Sequence, residues 1–275
     1  MKFRDYVLKK IKTIGRRLGA ELVNAAEPSE WAGGLAGYRE GGEALGQSPG
    51  HDFVACVLNH FGESRAQLFQ DLFVLFQTGG KRDGYFVEFG AANGVTHSNS
   101  CLLERGFGWS GILAEPARGW HDALRANRRC AVDTRCVWSR SGERLAFRET
   151  PDGGLSTLDA LAGADGFARS REGGAIYPVD TVSLNELLET HGAPETLDYL
   201  SVDTEGSELT ILEAFDFSRF DVRILTVEHN FTPERERLRA LLQAKGYRRV
   251  FEKFSRWDDW YVKPGPAGQA GPWTV

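Results

Sequence analysis

The chain has 275 residues, a formal net charge of -5 at pH 7 and a pI of about 5.8. This length suits one large domain with extensions, and the acidic balance argues against a protein that binds nucleic-acid phosphates. The four cysteines have no CxxC or zinc-ligand spacing, and neither a signal-peptide pattern nor a transmembrane run of about 18 apolar residues is found. We therefore expect a cytoplasmic protein with reduced thiols that acts on a small molecule or a glycan.

Residues 1–23 predict a basic amphipathic helix. Apolar residues recur there at steps of three and four, with lysines and arginines around the stripe. Such a helix packs on its own protein or on a partner, supports an oligomer, or lies at the surface of an anionic membrane. The glycine-rich residues 24–50 predict a linker, and residues 264–275, rich in proline and glycine, predict a disordered tail.

Residues 51–263 predict the main domain. Two apolar helical patterns at its start are expected to cover a sheet, and strands then alternate with helices. The expected strands are 85–89, 108–114, 131–138, 197–203 and 223–228, followed by a terminal antiparallel pair at 247–254 and 259–263. This alternation predicts an α/β fold with a doubly wound, mostly parallel sheet. The glycine-rich residues 151–174 predict a long mobile loop that would act as a lid.

Three acids lie at or near the ends of predicted parallel strands: Glu88, Glu115 and Asp203. Ligands of such sheets bind beyond the carboxyl ends of the strands, so we expect these acids to surround one site. Glu115 follows Gly94 by 21 residues, a spacing typical of an acid that binds ribose hydroxyls. The turn from Glu88 to Gly94 begins with an acid, which would repel a pyrophosphate. The pattern therefore favours S-adenosylmethionine over a nicotinamide dinucleotide.

Five ordered motifs carry a resemblance to a known family. They are Val-Glu-Phe-Gly-Ala-Ala-Asn-Gly (87–94), Ser-Asn-Ser (98–100), Leu-Ala-Glu-Pro (113–116), Tyr-Leu-Ser-Val-Asp-Thr-Glu-Gly-Ser-Glu (199–208) and Val-Glu-His-Asn-Phe (227–231). Together they resemble the FkbM family of class I S-adenosylmethionine-dependent methyltransferases. The resemblance implies a Rossmann-like sheet of seven strands and O-methylation of a sugar, glycan or secondary-metabolite hydroxyl. Many members have a lysine where this chain has Ser201, so no lysine role transfers.

The resemblance also implies where the cofactor binds. The residues that it places there are Glu88, Gly90, Ala91, Asn93, Gly94, Ser98, Asn99, Glu115, Pro116, Trp138 and Ser139. The turn 90–94 would cradle the methionine part, Glu88 would hold its ammonium directly or through water, and Glu115 would bind the ribose.

Two of these assignments have a structural alternative. Ser98 and Asn99, at a predicted helix start, would reach the cofactor carboxylate or satisfy free backbone amides of the helix. Trp138 and Ser139, after the third predicted strand, would contact the adenine, although plain packing explains Trp138 equally well.

Methyl transfer requires an oriented acceptor and a base for the hydroxyl proton. His229, Asp203 and Glu205 are the candidate catalytic residues, since a histidine has a suitable pKa and burial can raise that of a carboxylate. A histidine hydrogen-bonded at a strand end is the structural alternative for His229. Asp203, Glu205 and Glu228 would instead share a Mg²⁺ ion that lowers the pKa of the acceptor.

Two other functions stay open at this point. The first is a non-catalytic protein of the same fold that binds a partner through its surface and N-terminal helix. The second is a nicotinamide-dependent oxidoreductase, which the first turn disfavours. The acceptor itself cannot be deduced from the sequence.

Overall fold

The structure is a computed structural model that describes residues 49–151 and 153–264. The chain divides into two compact units, Met1–Gly80 with Ala270–Val275, and Lys81–Gln269. The predicted helix 1–23, the predicted linker up to residue 48 and the tail from residue 265 lie outside the described residues. The contact of residues 1–23 with a membrane, a partner or a second copy therefore stays a prediction.

The described part of the first unit is a pair of helices, α1 (Pro49–His60) and α2 (Gln70–Thr78). Phe53 is buried, and its ring centroid lies 6.3 Å from that of Phe73 and 5.5 Å from that of Phe76. Apolar residues at helical spacing thus form the contact between the two helices. The expectation that the pair covers the sheet stays a prediction.

The second unit alternates strands and helices. In chain order these are β1 (Tyr85–Phe89), α3 (Cys101–Phe107), β2 (Ser110–Ala114), α4 (His121–Asn127), β3 (Ala131–Asp133), β4 (Cys136–Trp138), β5 (Arg144–Glu149), β6 (Thr157–Leu158), β7 (Ala175–Ser183), α5 (Leu184–Thr190), β8 (Thr196–Val202), α6 (Glu208–Glu213), β9 (Asp221–Glu228), α7 (Glu234–Ala244), β10 (Arg248–Val250), α8 (Glu252–Ser255) and β11 (Asp258–Val262). No helix of the described residues is long and apolar enough to cross a membrane.

The main sheet has seven strands in the order β10-β11-β9-β8-β1-β2-β3. Strands β1, β2, β3, β8 and β9 pair in parallel, whereas β11 is antiparallel to both of its neighbours. Val87 and Leu200, from the two central strands, are fully buried in one core with Leu212 of α6 and Leu238 of α7. The prediction of a doubly wound, mostly parallel seven-stranded sheet is confirmed. The order reverses between β1 and β8, which is where such folds bind ligands.

A second sheet of four strands, in the order β4-β7-β5-β6, is inserted between β3 and β8. The prediction of one strand over residues 131–138 is wrong, because β3 ends at Asp133 and β4 pairs with β7. Asp133 accepts hydrogen bonds from the amide and the guanidinium of Arg135, and these contacts fix the turn between the two strands. The second sheet has a small core of its own, formed by Ala117, Cys136, Phe147, Leu158 and Val179.

The segment 151–174 is not the structureless loop that its glycines predict. Its described residues contain β6 and two 3₁₀ turns, Asp159–Leu161 and Ala168–Arg171. Arg171 is only 1% exposed, and its Nε donates a hydrogen bond to the carbonyl of Leu155. The buried guanidinium therefore ties the second 3₁₀ turn to the backbone at Leu155. Its role as a lid stays a prediction.

Candidate active site

The parallel pairing of β1 with β2 and β8 aligns the turns that follow these strands. Glu88 lies opposite Leu113 on one side and Ser201 on the other. The turns at residues 90–94, 115–117 and 203–207 therefore meet at the same edge of the sheet, as the strand-end acids predict.

At this edge of the sheet, the backbone of Gly90 packs closely against the backbone of Asp203. Its φ is 69°, and a Cβ at this position would lie 2.0 Å from the backbone oxygen of Asp203. Only glycine allows both the left-handed conformation and this contact. Because Gly90 is exposed, its backbone also faces the space beyond the strands.

Glu115 joins the turns after β1 and β2. One carboxylate oxygen accepts a hydrogen bond from the amide of Ala92 at 2.8 Å, and the other from the amide of Ala117 at 2.7 Å. Glu115 is 5% exposed, and burial raises its pKa to about 7 although the two amides act in the opposite direction. Each oxygen keeps a further acceptor position for a ligand hydroxyl.

The other residues of the first turn shape the backbone. Asn93 Oδ1 accepts hydrogen bonds from the amides of Val95 and Thr96, so its side chain is used within the turn. A Cβ at Gly94 would lie 2.6 Å from Leu124 Cδ1, which makes close packing the reason for that glycine. Ala91 is buried. The contacts of these residues with a cofactor stay a prediction.

Glu88 is directed at the start of α3. Its carboxylate accepts hydrogen bonds from Ser98 Oγ at 3.0 Å, from the amide of Asn99 at 2.8 Å and from Ser100 Oγ. At 3% exposed, this carboxylate is buried and orders residues 98–100. Its contact with a cofactor ammonium, directly or through water, stays a prediction.

Arg128, which the sequence analysis missed, lies beneath this network. Its guanidinium is fully buried and donates hydrogen bonds to Ser98 Oγ, Ser100 Oγ, the backbone oxygen of Gly94 and the carboxylate of Glu104. Arg128 follows the end of α4, where an arginine normally faces solvent. No sequence signal indicated its burial.

Ser98 and Asn99 differ in how completely they are paired. Ser98 Oγ also accepts a hydrogen bond from the amide of Cys101, so it satisfies a free amide of α3 as its structural alternative predicts. Asn99 Nδ2 donates to Ser201 Oγ at 2.9 Å, whereas its Oδ1 is buried and has no hydrogen-bond partner in the described part of the chain. A buried acceptor without a donor is costly, which marks Asn99 Oδ1 as a site for a ligand donor.

Three carboxylates cluster beyond β8 and β9. Asp203, Glu205 and Glu228 each place one oxygen within 4.8 Å of the others. Two carboxylates this close avoid mutual repulsion only when the cluster holds a proton, and Glu228 Oε2 has no hydrogen-bond donor among the described residues. Glu205 has a φ of 58°, a strained conformation for a non-glycine residue.

Burial and mutual repulsion raise the pKa of all three groups. Burial, with repulsion from Glu208 and Glu88, raises the pKa of Asp203 to about 7. Burial and the charge of Asp203 raise the pKa of Glu205 to about 9, and the same causes raise the pKa of Glu228 well above its ordinary value. The cluster therefore holds protons near neutral pH, as close carboxylates do.

Glu205 is also the contact point for two other segments. Its Oε2 accepts a hydrogen bond from Arg171 at 2.7 Å and another from Asn230 Nδ2 at 3.4 Å. Thr157 Oγ1 donates to the backbone oxygen of Glu205 at 2.9 Å. The inserted segment thus reaches the acidic turn, and Arg171 is a second buried arginine that the sequence analysis missed.

Glu208 has a structural role. Its carboxylate accepts hydrogen bonds from the amides of Thr204 and Gly206 at the start of α6. An acid at the start of a helix is stabilised by the helix dipole, so these contacts account for Glu208 without a catalytic role.

The contacts of His229 are with residues outside the acid cluster. Its Nδ1 accepts a hydrogen bond from the amide of Phe231, and its Nε2 lies 3.7 Å from Asp259 Oδ1. In the described part of the chain no hydrogen bond or ion pair joins the ring to Asp203 or Glu205, and burial lowers its pKa. Because His229 Nε2 is buried and has no hydrogen-bond partner among the described residues, its role as base stays a prediction beside the strand-end alternative.

The positions assigned to the adenine also need correction. Trp138 ends β4 and packs against the core of the second sheet, and Ser139 follows it. Neither residue follows the third strand of the main sheet. Thr134 and Arg135 do, and together with Pro116 they line a cavity of about 160 Å³.

Comparison with known proteins identifies the family to which this site belongs. A model of the methyltransferase FkbM domain matches residues 88–249, more than half of the chain. The chain belongs to the FkbM methyltransferase family. The matched FkbM domain begins at Glu88 and includes all three turns of the candidate site.

Two solved structures are similar to this FkbM protein. Precorrin-6y C5,15-methyltransferase from Geobacter metallireducens GS-15 is 10% identical with a TM-score of 0.39, and the match covers 70% of this chain and 85% of that one. A fibrillarin/Nop5p complex is 13% identical with a TM-score of 0.31, over 66% and 73% of the two chains. Comparison with curated proteins gives no match. The fold assignment therefore depends on the strand order described above.

Proposed function

We propose that this FkbM methyltransferase uses S-adenosylmethionine to methylate a hydroxyl group of a sugar, glycan or secondary metabolite. The observation that carries the proposal is the meeting of the Gly90 turn, buried Glu115 and the acid cluster at one edge of the sheet. Membership of a methyltransferase family sets aside the nicotinamide alternative.

The residues of the edge fit this cofactor. The Asn99 side-chain amide, buried with one end unpaired, suits a polar group of the methionine part, either its carboxylate or its amino group. The open backbone at Gly90 allows close approach, and Glu115 keeps acceptor positions for ribose hydroxyls. When bound, the cofactor supplies a methyl group activated by a positively charged sulfur. The chain has to orient the acceptor and take its proton.

Asp203 is the base that we propose. With a pKa raised to about 7, its carboxylate accepts a proton near neutral pH, which ordinary aspartates do poorly. Glu228, which places an oxygen within 4.8 Å of Asp203, would share that proton. Glu205 is held by Arg171 and Asn230, so we assign it the orientation of the acceptor hydroxyl.

Binding of Mg²⁺ by Asp203, Glu205 and Glu228 stays a prediction. Carboxylate oxygens suit this ion, but Arg171 already supplies a positive charge to Glu205. Methyl transfer measured after dialysis against EDTA separates the two mechanisms. If EDTA abolishes activity and MgCl₂ restores it, the reaction requires the metal. If activity is unchanged, the reaction uses the protein base without a metal.

Calorimetric titration with S-adenosylhomocysteine tests the cofactor. We expect the wild type to bind it, Glu115→Ala to bind it more weakly, and Glu213→Ala, which removes an exposed acid, to behave as the wild type. Thermal unfolding of each variant checks that the fold is kept. Absence of binding by the intact wild-type protein would contradict the proposal.

A further inference from the structure

The acid cluster of Asp203, Glu205 and Glu228 lies against a buried positive charge. Three carboxylates with oxygens within 4.8 Å of one another are a ligand set that suits a divalent cation. In the described part of the chain, however, the cation that pairs with the cluster is Arg171, whose Nη2 lies 2.7 Å from Glu205 Oε2. The inserted segment carries this arginine in its second 3₁₀ turn. The protein itself therefore supplies a counter-charge to the cluster.

All five N–H groups of the Arg171 guanidinium have an acceptor. Nε donates to the carbonyl of Leu155 at 2.8 Å. Nη1 donates to the carbonyl of Ala162 at 3.4 Å and to Asp165 Oδ1 at 2.6 Å, and Nη2 donates to Asp165 Oδ2 at 2.8 Å and to Glu205 Oε2 at 2.7 Å. Because the side chain is only 1% exposed, it cannot turn away from Glu205 without leaving these acceptors buried and unpaired. The position of the positive charge is thus fixed by the fold.

The contacts of Glu205 divide its two carboxylate oxygens between the protein and the site. Arg171 Nη2 and Asn230 Nδ2 both donate to Oε2, at 2.7 and 3.4 Å. Thr157 Oγ1, also from the inserted segment, donates to the backbone oxygen of Glu205 at 2.9 Å and helps to hold its φ of 58°. This arrangement leaves Oε1 available to a ligand.

A divalent ion bound by the cluster would place a second positive charge beside the Arg171 guanidinium. Like charges in contact repel strongly where water does not screen them. We propose that Arg171 takes the place of a divalent cation at the acid cluster, as a positioning residue that supplies the positive charge and directs Glu205 Oε1 at the methyl acceptor. The inference rests on the proposed function, because it takes Glu205 as the group that orients the acceptor hydroxyl. Asp203 then acts as the base without a metal ion.

A variant that tests this role has to keep the fold. Removal of the Arg171 side chain alone would leave Asp165, whose side chain is 4% exposed, buried without its counter-charge. We therefore choose the double variant Asp165→Asn/Arg171→Met. It removes one charge of each sign, so the net charge of the chain stays at -5. Glu205 is then the carboxylate that has lost its partner, and thermal unfolding checks that the fold is kept.

Electron paramagnetic resonance of Mn²⁺ titrated with the full-length protein tests the inference, because the signal of the free ion decreases on binding. We expect the double variant to bind Mn²⁺ at least about tenfold more tightly than the wild type, since Glu205 becomes free to act as a ligand. Adding Glu205→Gln to the double variant should abolish this gain. Arg171→Lys, which keeps the positive charge, should bind Mn²⁺ as weakly as the wild type.

Arg148→Met is the matched control. Arg148 also belongs to the second sheet, and it pairs with Asp159 at 2.6 Å. Its removal takes away one arginine of an ion pair without touching the acid cluster, so Mn²⁺ binding should equal that of the wild type.

Four results would overturn the inference. The wild type binds Mn²⁺ as tightly as the double variant, the gain of the double variant survives Glu205→Gln, Arg171→Lys binds as tightly as the double variant, or wild-type methyl transfer is lost with EDTA and restored by MgCl₂. Binding of S-adenosylhomocysteine is measured by calorimetry in the same samples. Its absence in the wild type counts against the proposed function, whereas the Mn²⁺ titrations decide the role of Arg171 separately.

Discussion

Two clusters of buried charge at the same edge of the sheet differ in how completely they are paired. Around Glu88, three protein donors and the guanidinium of Arg128 surround the carboxylate. Around Asp203 and Glu228, carboxylates face each other, and one oxygen of Glu228 has no donor in the described residues. A satisfied network stabilises a fold, whereas an unsatisfied one is costly and is kept for chemistry. We therefore assign a structural role to the cluster around Glu88 and a chemical role to the cluster around Asp203.

The largest expected effect comes from breaking the paired cluster. Arg128→Met should lower the free energy of unfolding by about 3–5 kcal/mol, because Glu88 and Glu104 would stay buried without their counter-charge. Urea unfolding measures this loss. Arg129→Met, at the exposed neighbouring position, is the matched control and should change stability by less than about 0.5 kcal/mol. Equal losses in the two variants would refute the structural role of Arg128.

A substitution in the cluster around Asp203 should lower activity without changing cofactor affinity. Asp203→Asn should lower kcat for methyl transfer by a factor of about 10²–10⁴, while affinity for S-adenosylhomocysteine stays within about twofold. In the wild type the base must be deprotonated, so kcat/KM should rise with pH and level off above about 7. The acceptor for this assay is chosen from a panel of sugars and hydroxylated secondary metabolites. A flat profile between pH 5 and 9 would exclude Asp203 as the base.

Two glycines test whether the close backbone contact at the candidate site matters. Gly90 and Gly142 have similar positive φ values, 69° and 76°, but a Cβ at Gly142 would meet no atom within 4 Å. Gly142→Ala should therefore cost only the conformational strain, about 1 kcal/mol. Gly90→Ala should cost more in thermal unfolding and also weaken S-adenosylhomocysteine binding, since the turn must move away from Asp203. Similar effects of the two substitutions would contradict the close contact between Gly90 and Asp203.

The smallest expected effect is an increase in stability, in contrast to the losses predicted above. Glu228 has a raised pKa, so the folded state holds a proton that the unfolded state releases above about pH 4, and wild-type stability falls as pH rises through that range. Glu228→Gln should remove this penalty and raise the free energy of unfolding at pH 8 by about 1–2 kcal/mol while lowering activity. Thermal unfolding at pH 5 and pH 8 measures it. A destabilised variant at pH 8 would mean that the ionised carboxylate is stabilised by a partner.

The sequence predicted what depends on local pattern and missed what depends on long-range pairing. The main strands were predictable because they are apolar runs, and the acids at Glu88, Glu115 and Asp203 because they end or interrupt those runs. The break between β3 and β4 depends on the pairing of Asp133 with Arg135, which an apolar pattern over 131–138 conceals. Arg128 and Arg171 were missed because an arginine in a charged helix or a glycine-rich loop normally faces solvent.

The most direct test of the account is hydrogen–deuterium exchange of the full-length protein with and without S-adenosylhomocysteine. If the cofactor binds at the edge described here, backbone amides in the turns 90–94, 115–117 and 203–207 should exchange more slowly when it is present, while β5 and β7 of the second sheet should be unchanged. Protection confined to other segments, or no protection in any of the three turns, would contradict the account.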